Sequence, residues 1–81
     1  MKIFYTFGTD EGYPFRGGWV EVEADNMKQA HALYRASYPD REPGILNCAD
    51  YYTEEQFIST SMMETGNRGA FCHRKIKAQE D

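Results

Sequence analysis

Two cysteines, Cys48 and Cys72, and two histidines, His31 and His73, are all the thiol and imidazole side chains in this chain. Four donors of these types complete a closed tetrahedral zinc site, converging on the ion at about 2.0–2.3 Å. No CxxC pair is present, so the ligands would have to come from separate elements. Cys72 and His73 are neighbours, and neighbours on a regular strand point to opposite faces; both can bind one ion only across a bulge or turn. If His73 is left out, Asp50 takes its place, since it lies two residues after Cys48 and shares its face in an extended segment. The expectation is a structural zinc held by His31, Cys48, Cys72 and either His73 or Asp50. The competing reading makes Cys48 and Cys72 ordinary buried thiols, His31 a helix-edge histidine and His73 an exposed one.

Cysteine with histidine can also be a nucleophile and its base. An 81-residue chain has little room for a deep cleft beside its core, and no motif sets an oxyanion hole next to either cysteine. The chain is therefore not expected to be an enzyme. Its paired glycines match no phosphate-cradling pattern, and turns account for them.

These residues must be positioned by local elements. Lys2 to Phe7 alternates, with Ile3, Tyr5 and Phe7 on one side, and reads as a strand. Gly8 to Gly18 has the glycines and proline of a long hairpin loop. In Trp19–Ala24, Val20, Val22 and Ala24 face inward, with Trp19, Glu21 and Glu23 on the water side. Asp25 or Asn26 caps a helix from Met27 to Ser37, which Pro39 ends. Met27, Ala30, Tyr34 and Tyr38 share its buried face, and His31 lies at the margin.

After a loop at Asp40–Gly44, Ile45 to Tyr52 reads as a strand or an irregular extended segment. Thr53 and Gln56 have capping-box spacing and start a short helix. Phe57, Ile58, Ser61 and Met62 supply its inner face, Gly66 its cap, and Asn67-Arg68-Gly69 a turn. A last strand runs from Ala70 to Lys77, before a frayed tail at 78–81. The fold expected is a single α+β domain over residues 1–81, a three- to four-stranded mostly antiparallel sheet with one main helix and one short helix.

The formal charge is −4. Phosphate binding needs a concentrated positive surface, so direct nucleic-acid binding is not expected. Residues 68–81 alone carry a basic excess, four Lys and Arg against two acids, which suits a protected sheet edge. No signal peptide and no membrane-length apolar run is evident, which points to the cytoplasm. Asp10, Glu11, Tyr13, Phe15 and Trp19, and again Tyr51, Tyr52, Glu54 and Glu55, combine rings with carboxylates. Aromatic anchors rimmed by charge mark protein-binding surfaces, and an acidic one fits a basic groove that otherwise holds nucleic acid. Asp10, Glu11, Trp19, Glu54 and Glu55 are the residues expected to meet a partner.

Gly17-Gly18-Trp19-Val20-Glu21-Val22-Glu23-Ala24, Ile45-Leu46-Asn47-Cys48-Ala49-Asp50 and Gly69-Ala70-Phe71-Cys72-His73 resemble segments of small proteins encoded by phages and mobile elements of Gram-positive bacteria. In size and acidity the chain is also similar to type II anti-CRISPR proteins, small inhibitors of Cas9, some of which contain a metal. The resemblance implies an inhibitor that binds Cas9 in the bacterial host and blocks nucleic-acid loading or cleavage, and assigns no catalytic residue. The alternative within the same class is a phage host-takeover adaptor that binds another bacterial protein.

Overall fold

A computed structural model describes residues 1–8, 12–60 and 72–78. Four strands and two helices follow in the order β1 (Lys2–Thr6), β2 (Trp19–Glu23), α1 (Met27–Ser37), β3 (Asp50–Thr53), α2 (Glu54–Ser59) and β4 (Cys72–Lys77). The strands form one sheet in the order β3-β1-β2-β4. β1 pairs antiparallel with β2 and with β3, whereas β4 runs parallel to β2. The α+β class and the two unequal helices are as expected, and the sheet is mixed.

β1 shows why both faces of this sheet are covered. Ile3, Phe4 and Tyr5 are all 0% exposed, although neighbours on a strand point opposite ways. Ile3, Tyr5 and Phe7 join Val20, Val22 and Ala24 under Ala30 and Tyr34 of α1. Phe4 joins Trp19 on the other side, under Phe57 of α2. A central strand buried on both faces carries consecutive apolar residues, here Ile3, Phe4 and Tyr5.

Trp19 shares its face with Glu21 and Glu23, as the alternation requires, but that face is not all solvated. At its Trp19 end α2 covers it, and Trp19 is 4% exposed. Beyond the helix, Glu21 lies opposite Lys75 and Glu23 opposite Lys77, while the Lys2 ammonium stands 3.8 Å from Glu21. One sheet face is thus apolar under α2 and charged beyond it.

The hairpin joining β1 and β2 closes through the Gly17 N–H donating to the Gly8 carbonyl at 3.0 Å. Gly17 and Gly18 adopt φ of 69° and 71°, a left-handed pair that costs any residue with a Cβ about 1–2 kcal/mol each. α1 begins where the Asn26 side chain accepts from the Gln29 N–H at 2.8 Å, and ends at Tyr38, ahead of Pro39. Glu42–Ile45 forms a turn with Pro43 second and Gly44, at φ 83°, third, the requirements of type II. Of Ile45–Tyr52, only residues from Asp50 onward join the sheet.

The capping box of α2 is formed as the spacing predicts: Thr53 Oγ1 accepts from the Gln56 N–H at 3.3 Å, and Gln56 Oε1 accepts from the Thr53 N–H at 3.0 Å. Ser61, Met62, Gly66, the turn at 67–69, the first two residues of the expected last strand and residues 79–81 lie outside the described residues. Among the described residues, no helix is long and apolar enough to cross a membrane.

Gln56 also protects a sheet edge. β3 is an outer strand, and its Tyr51 and Thr53 N–H groups, two residues apart, point the same way. The first donates to Asp50 Oδ1 at 2.8 Å and the second to Gln56 Oε1, so side chains occupy donors that a foreign strand would need. We predict that Asp50→Ala with Gln56→Ala lowers the concentration at which the protein self-associates on a sizing column. An elution profile unchanged from the parent at every concentration would show that these bonds do not guard the edge.

Candidate functional site

Each soft ligand is placed by its own element, and the elements separate them. His31 stands on α1, at the margin where the helix periodicity puts it, and its Nδ1 lies 2.8 Å from the Tyr5 hydroxyl. Cys48, in the irregular segment before β3, is buried among the residues under α1. Cys72 faces the opposite side of the sheet, against Phe4, Trp19 and Phe57, with its thiol 3.4 Å from the Arg74 carbonyl. His73 lies back on the α1 side, stacked on Phe15 with centroids 4.1 Å apart, its Nε2–H donating to the Gly17 carbonyl at 2.9 Å.

A bulge does occur at this pair of neighbours. Trp19 is opposite Cys72 and Val20 opposite Arg74, so His73 is the extra residue. It leaves Cys72 and His73 on different faces. Among the described residues, no group of three or more His, Cys, Asp or Glu side chains is placed to hold a metal ion. Asp50, the alternative fourth ligand, accepts from the Tyr51 N–H at 2.8 Å. The side chains as placed do not fit a closed zinc site.

What the arrangement does build is a cluster of rings around the middle of β1. Tyr5 stacks on Tyr34 with centroids 4.2 Å apart, and the His31 ring meets both Tyr5 and Tyr51 edge-on. The Tyr34 hydroxyl donates to the Asn47 carbonyl at 2.6 Å, tying α1 to the segment that carries Cys48. Burial raises the Tyr5 and Tyr34 phenols far above their ordinary range, with the neighbouring Cys48 adding to it. Burial first, and the Asp50 carboxylate second, push the Cys48 thiol up to about 12. A thiol so held is not a nucleophile at neutral pH, because the thiolate is the reactive form. Burial, and then Arg35, lower the His31 pKa, which favours the neutral imidazole.

Of the residues expected to meet a partner, Asp10 and Glu11 lie outside the described residues. Trp19 belongs to the core. Glu54 and Glu55 are exposed in the first turn of α2, where their negative charge also suits the helix dipole. Ile58 follows them by four and three residues and is therefore their neighbour on the helix surface. It was expected on the inner face, yet it is 58% exposed; Phe57 alone of the two turns inward. The six-residue length of α2 explains this, since one large ring suffices to seat a helix of that size. Sequence reading missed two further features: Ile58 as an exposed apolar residue between acids, and an open groove between α1 and residues 44–51. The Pro43-Gly44 turn was the available signal for the groove, because it directs Ile45 and Leu46 back along α1.

Comparison with known proteins finds no matching family model, no matching curated protein and no matching solved structure.

Proposed function

We propose that this protein is an acidic binding protein that inhibits its target by occupying a basic surface, with Cas9 in a bacterial cytoplasm as the target. One observation carries the reading: Glu54 and Glu55 flank the exposed Ile58 on the outward side of α2, while Phe57 fixes the helix to the sheet. An apolar anchor beside carboxylates is suited to a site that pairs a hydrophobic pocket with Lys and Arg. Channels that hold a guide–target heteroduplex are basic surfaces of this kind, and an acidic ligand competes there for the positions that phosphates take. The net charge of −4 favours encounter with such a surface. The resemblance to type II anti-CRISPR proteins points to the same target. Action by binding, without chemistry of its own, also agrees with the protonated state of Cys48.

The test is a Cas9 cleavage assay with the protein added before guide, before target or after both, paired with co-elution on a sizing column. Inhibition is expected when the protein is added before the nucleic acid, and to weaken as salt rises, because exposed charges are screened. Normal cleavage and no complex across Cas9 orthologues would remove the reading.

A further inference from the structure

The groove between α1 and residues 44–51 has a volume of about 390 Å³. That is the lower end of the range for small-ligand sites and suits a body the size of one ring. We propose that it binds a small carboxylic acid with an aromatic body, held by the His31 imidazole and the Arg35 guanidinium.

The hydrogen bonds decide the polarity of the ligand. Tyr5 is 0% exposed, and among the described residues His31 Nδ1 is the one partner of its hydroxyl, so the buried O–H is satisfied only if it donates and Nδ1 accepts. The ring proton is therefore on Nε2, a donor at the other edge of the imidazole. Among the described residues, no bond to Nε2 is present. Arg35 follows His31 by four residues and stands beside it on α1. Its Nε is anchored 3.0 Å from Asp40 Oδ1, which fixes the guanidinium along the same wall. The groove thus offers an unused imidazole N–H and, beside it, the remaining N–H groups of a guanidinium paired with Asp40 through Nε, and these donors call for an acceptor.

Asp50 also lines the groove, and its carboxylate is engaged by the Tyr51 N–H at 2.8 Å. On β3 it shares its strand face with Tyr52, opposite the one carrying Tyr51. Cys48, at the floor, carries no charge. The remaining walls are apolar: Ile45 is 58% and Tyr51 41% exposed at the rim, with Leu46 between them and the core. A ring placed across them covers apolar surface that is otherwise wet. The groove is on the α1 side of the sheet and the acidic face of α2 on the other, so the two sites are independent.

The chain has two histidines, and His73, stacked on Phe15, is a built-in reference. Titrating the protein with phenylacetate while following the histidine ring signals by NMR is expected to shift His31 saturably and leave His73 in place. A dissociation constant of roughly millimolar suits a ligand of this size. Phenethylamine, of the same shape and opposite charge, is expected to give no saturable shift. Ile45→Asp, at an exposed position, is expected to weaken phenylacetate binding about tenfold while the amide spectrum shows the fold intact. A His31 signal that does not move, one that moves equally with the amine, or a parallel shift of His73 would each overturn the proposal.

Discussion

Phe57→Ala lowers the stability of the protein by about 3–5 kcal/mol, the range for removing a buried aromatic side chain. Phe57 is 0% exposed and is the one inward ring of α2. It stacks on Phe4 with centroids 4.4 Å apart and planes 4° from parallel, and meets the Trp19 ring at 5.0 Å. Truncation therefore takes away the helix's attachment and opens the Trp19 end of the sheet to water. A domain of this size has about 4–12 kcal/mol in all, so the loss is a large share of it. The chain's single tryptophan sits in the affected cluster and reports the change directly. Urea unfolding followed by Trp19 fluorescence should show the midpoint falling sharply, with Phe57→Leu recovering most of it. A Phe57→Ala midpoint displaced by less than about 1 kcal/mol would mean that α2 is not held by this ring.

The second large effect comes from pH. Tyr5, Tyr34 and Cys48 are buried together, and each has its pKa raised above the ordinary value. For an acid so raised, the folded state binds more protons than the unfolded state once pH passes the unfolded pKa. The stabilisation is therefore complete below that pKa and is lost as pH climbs toward the folded one. The window opens near pH 9, where the unfolded thiol begins to ionise, and extends to about 12 for Cys48. At about 1.4 kcal/mol per unit, the three groups together remove roughly 5–6 kcal/mol by about pH 11. The protein is expected to unfold cooperatively in mild alkali, with buried tyrosines ionising in the same transition. Tyrosinate absorbance and circular dichroism measured together decide it. Ionisation of all six tyrosines over a broad, ordinary range with the fold intact would contradict the packing described.

How far the fold could be read in advance depended on how local each signal was. The bounds of α1 followed from Asn26 and Pro39, and the capping box at Thr53 and Gln56 formed as its spacing implied. Ile3, Tyr5 and Phe7 shared the expected face because alternation is a property of the strand itself. Trp19 was less legible. Its side of the strand was right, but whether that side is wet depends on a helix some thirty-five residues later in the chain. The direction of β4 was hidden for the same reason, since its pairing with β2 spans two helices and a strand.

The candidate site shows the limit more sharply. Four soft ligands in one small chain suggested convergence, but composition does not say which sheet face each will occupy. Cys72 follows Trp19 to the α2 side, while Cys48 and His31 stay with α1. A bulge or a turn was expected to be needed to join the pair; a bulge forms at His73, and the ring stacks on Phe15 instead. His31 was correctly placed at the helix margin, and there it meets a phenol.

The outward face of α2 carries the proposed inhibition, and substitution of its exposed residues tests it most directly. Glu54→Lys, Glu55→Lys and Ile58→Asp, combined in one variant, alter exposed positions and leave Phe57 seated. In a Cas9 cleavage assay at low salt, the parent is expected to inhibit, and the variant to need about a hundredfold more protein for the same effect, with its urea midpoint near the parent's. Equal inhibition by parent and variant would contradict the assignment of this surface, and cleavage unaffected by the parent would contradict the assignment of the target.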